Sequence, residues 1–337
     1  DGSHNRVLIQ VERFTRNIGP HITNRYRSIE CGENDGYAGS LALSALLVDN
    51  ATNGLFLALK ALGIGQGDEG ITVSNTAVPT VSAIVSAGAT PVFVDIDPST
   101  YLMDPSKLNA VVTPKTKCIL PVQLFGQCAD MDEINAVARK HNLKVVEDCA
   151  QAHGASQKGR KAGSMSDMAV FSFYPTKPLG GYGDGGMVVT EDDGLNATLR
   201  RLRFYGMETN YYAEEHGYNS RLDELHAEIL RRKLPHLDQY IAARRGVASR
   251  YHHVLNETSL TLPEVLNDNF HVFYLFVVRH PERDHIMSEL KGRDILVNIS
   301  YPWPIHTMRG YSYLGYKVGD FPETEKAARE IFSLPMY

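Results

Sequence analysis

The sequence lacks the features that mark several common classes of protein. It has 337 residues and a formal net charge of -5, so no basic excess predicts binding to nucleic acid. No apolar run approaches the roughly 18 residues of a membrane-spanning helix. The N-terminus, Asp1-Gly2-Ser3-His4, has no signal-peptide pattern. We therefore expect a cytoplasmic protein that binds neither nucleic acid nor membranes.

Cysteine is scarce, and its spacing excludes two kinds of site. The four cysteines share no C-x-x-C pair: Cys31, Cys118, Cys128 and Cys149. Neither a zinc site nor a disulfide framework is predicted, and reduced thiols are the simplest account. We expect no metal in the functional site.

Helix and strand patterns alternate from about Gly54 to Thr190. Short continuous apolar strands separated by helices predict a mostly parallel sheet that is covered on both faces. A charged helix from Leu222 to Leu237, extending through Tyr251, comes next, and shorter segments end in a helix from Glu323 to Phe332. We expect a large α/β domain over residues 46–245, a small α+β domain over residues 246–337 and an unassigned segment over residues 1–45.

Lys177 is a candidate for covalent chemistry. It lies on a turn between two apolar runs, Met168 to Phe173 and Met187 to Thr190. A lysine held between buried strands is partly desolvated, which disfavours its ammonium form. The neutral amine can form a Schiff base with an aldehyde, as pyridoxal phosphate (PLP) requires of its protein. A surface lysine on a hairpin turn explains this segment equally well.

Asp148 ends the apolar strand Val145-Val146-Glu147. Ligands of parallel sheets bind beyond the carboxyl ends of the strands. A partly buried carboxylate at that edge needs a cationic partner, and a pyridinium nitrogen would be one. The alternative is an aspartate that caps the next helix. Gln151 could hydrogen-bond a ring substituent and His153 could lie nearby, although either could be an ordinary loop residue.

A phosphate site is predicted where Asn50-Ala51-Thr52 precedes a helix. Free N–H groups at a helix N-terminus and a hydroxyl attract an anion. Ser172 is a second candidate phosphate ligand. The alternatives are simple N-capping and a strand serine bonded to the backbone.

Two glycine-rich stretches are interpreted as turns. Gly65–Gly70 matches G-x-G-x-x-G, but it follows a predicted helix and opens a strand, the reverse of a dinucleotide-binding loop. Gly183–Gly186 has too few oxygen ligands for calcium. Two other loops, Gly217–Asp223 and Tyr301–His306, look like substrate-facing loops, with interface or packing roles as the alternative.

Several segments together resemble the DegT/DnrJ/EryC1/StrS aminotransferases, which are PLP enzymes of fold type I that mostly act on nucleotide-linked keto sugars. The segments that carry the resemblance are Phe171–Lys177 with Gly183–Gly186, Glu147–Gly154 and Gly217–Leu222. The likeness runs from about Asn50 to Tyr337. It implies an α/β fold like that of aspartate aminotransferase, with a small C-terminal α+β domain, and a homodimer with shared active sites.

The resemblance also implies a role for each candidate residue. Lys177 would bind PLP covalently, Asp148 would pair with its pyridine nitrogen and Gln151 would lie beside its ring. The remaining cofactor contacts implied are Ala51, Thr52 and Ser172 to the phosphate, Asn219 of the neighbouring subunit, and Ala77 against the ring. The implied substrate contacts are His153, Arg221, Tyr301 and His306.

Two positions depart from the family pattern. The family usually has Asn-Gly-Thr where this chain has Asn50-Ala51-Thr52, which changes how closely the backbone can approach a phosphate. The family often places an aromatic ring over PLP in the loop after the first crossover strand. Asn75–Pro79 has none, so either Ala77 packs against the ring or the stacking comes from elsewhere in the chain.

The function implied is a two-stage transamination in amino-sugar biosynthesis. An amino acid, expected to be glutamate, would leave its amino group on the cofactor as pyridoxamine phosphate (PMP). A nucleotide-linked keto-deoxysugar, expected to carry dTDP and a keto group at C3 or C4, would then receive it. Lys177 argues against the related dehydratases, which have histidine at that position. The alternatives are a keto-cyclitol aminotransferase and a non-catalytic PLP-fold binding or sensor protein.

Overall fold

The structure, a computed structural model, describes residues 44–209 and 211–336. The predicted N-terminal segment therefore lies almost wholly outside the described residues. The strands are β1 (Ser44–Val48), β2 (Glu69–Val73), β3 (Thr90–Val94), β4 (Thr116–Ile119), β5 (Lys144–Asp148), β6 (Ser156–Gln157), β7 (Arg160–Lys161), β8 (Met168–Ser172), β9 (Gly186–Thr190), β10 (Met207–Thr209), β11 (Tyr212–Ala213), β12 (Asn269–Phe270), β13 (Phe276–Arg279) and β14 (Ile331–Leu334).

Helices separate most of these strands. The α-helices are α1 (Ala51–Ala61), α2 (Val78–Ser86), α3 (Leu108–Val111), α4 (Met131–His141), α5 (Asp193–Arg203), α6 (Glu224–Lys233), α7 (Leu237–Leu255), α8 (Arg283–Lys291) and α9 (Pro322–Glu330). The 3-10 helices are Pro105–Lys107, Leu124–Gly126, Leu234–His236, Ile305–Thr307 and Arg309–Leu314. Within the described ranges, no helix has the length and apolar character needed to cross a membrane.

Seven strands form the central sheet, in the order β1-β9-β8-β5-β4-β2-β3. Five neighbouring strands run parallel to one another: β8, β5, β4, β2 and β3. This confirms the prediction of a mostly parallel sheet. Strand β9 is antiparallel to both of its neighbours. Because of this reversal, β9 begins at the same edge at which β8 ends, and the connection that carries Lys177 stays at that edge.

Both faces of the sheet are covered, as the continuous apolar strands predict. Successive residues of one strand enter different cores: Val145 of β5 packs in one cluster and Val146 in the other. The same alternation holds in β8 for Phe171 and Val170. The candidate residues Asp148 and Ser172 lie at the ends of β5 and β8, beyond these apolar runs.

Glycine allows helix α1 to lie directly against the sheet. A Cβ at Gly54 would lie 2.8 Å from Val170 Cγ1, and one at Gly186 would lie 2.8 Å from the Ala51 nitrogen. The first turn of α1 therefore sits beside the start of β9, at the carboxyl edge of the parallel strands. The Gly65–Gly70 stretch joins α1 to β2, which confirms that it is a connecting turn.

Two helix predictions in the C-terminal part are corrected. The helix expected through Tyr251 is interrupted between α6 and α7, because Pro235 has no N–H to donate and its ring clashes with the preceding turn. The helix expected over Glu323–Phe332 ends at Glu330. The next residues form β14, and pairing with β13 holds their backbone extended.

The division after residue 245 stays a prediction. That position lies inside α7, whose Ile241 packs in the main core. About two helical turns after Ile241, Ala248 packs with Phe276 and Phe332 in a separate cluster. We propose that α7 is the connection between a large and a small domain.

Gly186→Ala is expected to lower the free energy of unfolding by about 1–3 kcal/mol, because the new Cβ would meet backbone atoms of Asn50 and Ala51. Urea denaturation measures the change. Gly246→Ala is the matched control, since a Cβ at this exposed position of α7 has no atom within 4 Å. That substitution should raise stability by about 0.5–1 kcal/mol through helix propensity. A Gly186→Ala protein as stable as the wild type would contradict the close approach of α1 to β9.

Candidate active site

A cavity of about 360 Å³ opens at the carboxyl edge of the central sheet. Its walls come from the start of α1, the segment between β2 and α2, the loop after β5 and the β8–β9 connection. Seven of the candidate residues line it: Ala51, Thr52, Ala77, Asp148, Gln151, Ser172 and Lys177. The topology thus brings together residues that are up to 126 positions apart in the numbering from Ala51 to Lys177.

Lys177 is half-buried on the β8–β9 connection. Its amide donates to the Tyr174 carbonyl at 2.9 Å, which closes a turn. Its Nζ lies 4.9 Å from the centre of the Tyr274 ring. The connection is tight, since a Cβ at Gly180 would collide with the backbone of Pro175. The lysine is therefore held at the cavity by its own turn and by an aromatic face.

Asp148 is buried at the end of β5 and faces the cavity. Its Oδ2 accepts a hydrogen bond from Thr80 Oγ1 at 2.7 Å, and its Oδ1 accepts one from the Ala150 amide at 3.1 Å. Burial raises the pKa of Asp148, while these two hydrogen bonds and the positive charge of Lys177 oppose the rise. A cation in the cavity would relieve the cost of burying this carboxylate.

Glu147, the residue before Asp148, has a different environment. Its carboxylate is fully buried and accepts hydrogen bonds from the amides of Gly163 and Met165 and from the side chains of Gln123 and Ser166. Burial raises the pKa of Glu147, and all four donors oppose the rise. Glu147 therefore ties the segment around β6 and β7 to β5, and it does not line the cavity.

The start of α1 offers unpaired amides to the cavity. Asn50 caps the helix by accepting a hydrogen bond from the Asn53 amide at 2.8 Å. The amides of Ala51 and Thr52 have no acceptor among the described residues. Ser172 pairs with Gly186, which lies against the start of α1. Ser172 Oγ accepts a hydrogen bond from the Tyr174 amide at 3.3 Å, and its hydroxyl proton stays available. This arrangement suits a phosphate.

Gln151 links the cavity to Tyr301. Its Nε2 donates to the Tyr301 hydroxyl at 2.6 Å, and its Oε1 accepts from the Phe125 amide at 2.7 Å. The rings of Phe125 and Tyr301 stack with their centres 6.2 Å apart. Burial raises the pKa of Tyr301, so this phenol stays protonated at neutral pH. Tyr301 therefore supports a wall of the cavity through Gln151.

His153 lies behind the cavity and does not line it. It is buried between Phe171 and Phe173, with ring centres 5.3 Å and 5.9 Å away. Within residues 44–209 and 211–336, neither ring nitrogen has a hydrogen-bond partner of acceptable geometry. Burial, helped by the charge of Lys177 and opposed by the Ser172 backbone, lowers the pKa of His153 to about 3. The ring is thus a neutral packing element in this structure.

His306 is likewise withdrawn from the cavity. Its Nδ1 lies 2.7 Å from Ser74 Oγ and its Nε2 lies 3.1 Å from Glu325 Oε1. The histidine is buried, and its ring packs edge-on against Phe321. These contacts join the loop after Trp303 to the end of β2.

Asn219 and Arg221 lie on an exposed loop outside their own chain's cavity. The loop is anchored by Ser220, whose hydroxyl donates to Asp49 and whose carbonyl accepts from the Asp49 amide at 3.3 Å. The guanidinium of Arg221 lies 4.7 Å from the centre of the Phe204 ring. The structure places neither side chain with the seven cavity residues.

Sequence reasoning missed two contributors, Thr80 and Tyr274. Thr80 follows β2 in the first turn of a helix at the carboxyl edge, a position that parallel-sheet topology itself could have flagged. Tyr274 lies in an irregular segment nearly 100 residues after Lys177 in the numbering, and no local pattern links the two. Only the packing of the chain brings that ring to the lysine.

The residues of this cavity fit PLP, judged by their own chemistry. Unpaired amides at the start of α1 and the Ser172 hydroxyl suit its phosphate. The buried carboxylate of Asp148 lacks a full cationic partner, and a protonated ring nitrogen would supply one. Lys177 offers an amine that would bond its aldehyde.

Comparison with known proteins decides the family. The sequence model of the DegT/DnrJ/EryC1/StrS aminotransferase family matches residues 35–337. The chain belongs to this family. The match starts about 15 residues before Asn50, where the resemblance was expected to begin.

The relatives of this aminotransferase include proteins of known structure. It is 58% identical over 296 residues to the dTDP-3-amino-3,4,6-trideoxy-alpha-D-glucose transaminase of Micromonospora megalomicea subsp. nigra, which covers 86% of this chain and 79% of that protein. DesV of S. venezuelae, solved with a ketimine intermediate, is 42% identical with a TM-score of 0.85, covering 87% of this chain and 79% of DesV. NtdA of Bacillus subtilis, solved with bound PMP, is 30% identical with a TM-score of 0.81, covering 87% and 68%.

These relationships confirm three expectations. The fold is that of PLP-dependent fold type I, the chain is an aminotransferase, and its cofactor is PLP, which alternates with PMP.

Asp148→Asn replaces the buried charge of the cofactor-free aminotransferase by a neutral amide, which keeps only one of the two acceptor oxygens. Relative to the wild type, the variant is expected to be most stable at pH 7 and to lose that relative stability as the pH falls. The folded pKa of Asp148 lies above its ordinary 3.8, so the cost of its charge is complete above the folded pKa. That cost falls away as the pH drops towards 3.8, and the difference between the two proteins should shrink with it. Thermal unfolding at several pH values measures this, and a stability difference that does not change between pH 7 and pH 4 would contradict it.

Proposed function

We propose that this aminotransferase moves an amino group from an amino acid, glutamate, to a nucleotide-linked keto-deoxysugar. The observation that carries the proposal is that Lys177, Asp148 and a group of hydrogen-bond donors suited to a phosphate line one cavity. The donors are the amides of Ala51 and Thr52 and the Ser172 hydroxyl. The substrate class is supported by the relative that is 58% identical and is a dTDP-aminodeoxysugar transaminase. We infer a dTDP-linked sugar with the keto group at C3 or C4, and a cytoplasmic place in amino-sugar biosynthesis.

The proposed roles follow from the chemistry of each side chain. PLP supplies a conjugated ring that accepts electrons from the carbon next to the reacting nitrogen. Lys177 holds the cofactor and, once its amine is free, accepts and returns the proton of that carbon. Asp148 keeps a positive charge on the ring nitrogen. Gln151 lies beside the ring, and Ala51, Thr52 and Ser172 hold the phosphate.

Ala77 lines the cavity where the family often has an aromatic ring. A methyl group covers less of a cofactor ring than an aromatic side chain does. Ala77 would therefore leave part of that face of the ring uncovered. We propose that Ala77 contacts the ring directly. The substrate roles of His153, Tyr301 and His306 reduce, in our proposal, to shaping the cavity from behind, because all three side chains are held by neighbours within the chain.

We also propose a homodimer in which each chain completes the other's site. Asn219 is exposed and its loop is fixed by Asp49, yet its side chain is absent from its own cavity. A rigid loop that presents an amide outwards suits a contact with the phosphate in a second copy. Arg221, on the same loop, would then lie near the substrate of that copy.

The central prediction concerns the purified protein loaded with PLP. Addition of glutamate should remove the absorbance band of the PLP form, and addition of the correct keto sugar should restore it. A panel of nucleotide-linked keto sugars, with a keto-cyclitol included, identifies the acceptor by return of the band. A band that no amino donor changes would contradict the aminotransferase proposal and favour a binding or sensor protein. Recovery of the band with the cyclitol alone would show that the acceptor is a keto-cyclitol and not a nucleotide-linked sugar.

Lys177→Ala is the control for this experiment. We expect it to lose catalytic turnover by at least about 100-fold, because one amine serves both the covalent bond and the proton transfer. Borohydride reduction of the PLP-loaded wild type should leave the cofactor mass on the peptide that contains Lys177. Full turnover by Lys177→Ala would refute the assignment.

Subunit mixing tests the shared site. Lys177→Ala and Asn219→Asp proteins should each have little activity alone. If Asn219 acts in the partner's site, mixed dimers contain one intact site, and random mixing should restore about a quarter of the wild-type activity. Activity no higher than the sum of the two separate proteins would show that Asn219 does not act across the interface.

A further inference from the structure

Thr80 makes a contact with Asp148 that no role above uses. It is buried in the first turn of α2, and its Oγ1 lies 2.7 Å from Asp148 Oδ2 and 3.0 Å from Thr76 Oγ1. An ionised carboxylate only accepts hydrogen bonds, so the Thr80 proton must point to Asp148. Thr80 can then accept the proton of Thr76. The two threonines form a chain of hydrogen bonds with one direction, which ends on the carboxylate.

The second oxygen of Asp148 is fixed from another side. Its Oδ1 accepts the Ala150 amide at 3.1 Å, from the loop that follows β5. With one donor on each oxygen, the carboxylate has a defined orientation, and its remaining acceptor capacity faces the cavity. Thr80 is also the third residue of α2, so Asp148 lies at the positive end of that helix. Each of these contacts favours the charged form.

We propose that Thr80 is a positioning residue for transamination, which keeps Asp148 ionised and aimed at the ring nitrogen of PLP, with Thr76 fixing the direction of its hydroxyl. The inference rests on the proposed function, because it needs PLP in the cavity. Loss of the Thr80 hydroxyl makes the carboxylate a stronger base. The shared proton then moves from the ring nitrogen towards Asp148, and the ring accepts electrons less readily.

Other groups around Asp148 keep their places when Thr80 changes. Lys177 faces it from the β8–β9 connection and Tyr301 from the loop after α8, while Asp184 lines the same cavity. Glu147 and Cys149 point to the opposite side, where the thiol lies 3.7 Å from the Glu147 carboxylate. None of them hydrogen-bonds Thr80, so a Thr80 variant changes one donor to Asp148 and leaves these charges as they are.

The test compares three substitutions. Thr80→Val removes the hydroxyl and keeps the shape, and Thr80→Ser keeps the hydroxyl. Thr72→Val is the matched control, because Thr72 is also buried and its hydroxyl donates to the Leu120 carbonyl at 2.9 Å, outside the cavity. Each protein is loaded with PLP, and the pH dependence of the cofactor absorbance band is recorded alongside kcat and KM for glutamate.

The absorbance band changes when the nitrogen that joins Lys177 to PLP gains or loses its proton. A positively charged ring lowers the pKa of this nitrogen, so a less charged ring lowers it less. We therefore expect the titration midpoint of the band to rise by about one pH unit in Thr80→Val. We expect kcat to fall by about 10- to 100-fold with little change in KM, the effect of one hydrogen bond to a charged group. Thr80→Ser should restore both values. Thr72→Val should match the wild type in both.

The outcomes separate this inference from the proposed function. A Thr80→Val protein with the midpoint and kcat of Thr72→Val would overturn the role of Thr80 and leave the aminotransferase assignment intact. A wild-type protein that forms no PLP band would overturn the proposed function and the inference with it. If Thr80→Val does not fold, Thr76→Val provides the test: the midpoint should move in the same direction by a smaller amount, and an unchanged midpoint would overturn the inference.

Discussion

The buried carboxylate of Asp148 is the constraint on which the site depends. Burial raises its pKa, so the fold bears a free-energy cost to keep it charged at neutral pH. The neighbouring elements reduce that cost, with Thr80 and Ala150 donating to it and Lys177 contributing positive charge. They do not use all of the acceptor capacity of Asp148, because the carboxylate still faces the cavity. A ligand that brings a cation to this point therefore gains binding free energy from the charge of Asp148.

Neighbouring carboxylates on β5 show how orientation separates structure from function. Glu147 has four nitrogen or oxygen donors and the Cys149 thiol, and belongs to the scaffold that holds the segment around β6 and β7. Asp148 has two and keeps capacity for a ligand. The pleat of the strand makes the difference, since adjacent side chains point to opposite faces. One face closes on loops of the chain, and the other opens where α1 and α2 begin.

Close backbone approach has the same importance at the phosphate end. Gly186 lets the first turn of α1 lie beside β9, which puts the unpaired amides of Ala51 and Thr52 on the cavity wall. The antiparallel direction of β9 matters as well, because it returns the chain to the edge where β8 ends. With this strand order, Lys177 and the start of α1 meet in one cavity.

The sequence by itself determined the sheet type, the strands around Asp148 and Lys177, and the family. Continuous apolar runs indicate strands that are buried on both faces. The order of the motifs around Asp148 and Lys177 is specific to the aminotransferase family. The sequence could not place Tyr274, which comes from an irregular segment far from those motifs. The position of Thr80 after β2 is one that sheet topology indicates, but its contact with Asp148 is visible only in the structure. Nor could the sequence show that His153 and His306 are enclosed by neighbours rather than open to a substrate. Local sequence records propensity and burial, whereas the partner of a side chain depends on which distant elements pack against it. The tertiary structure alone decided which polar residues are satisfied within the chain and which are left for a ligand.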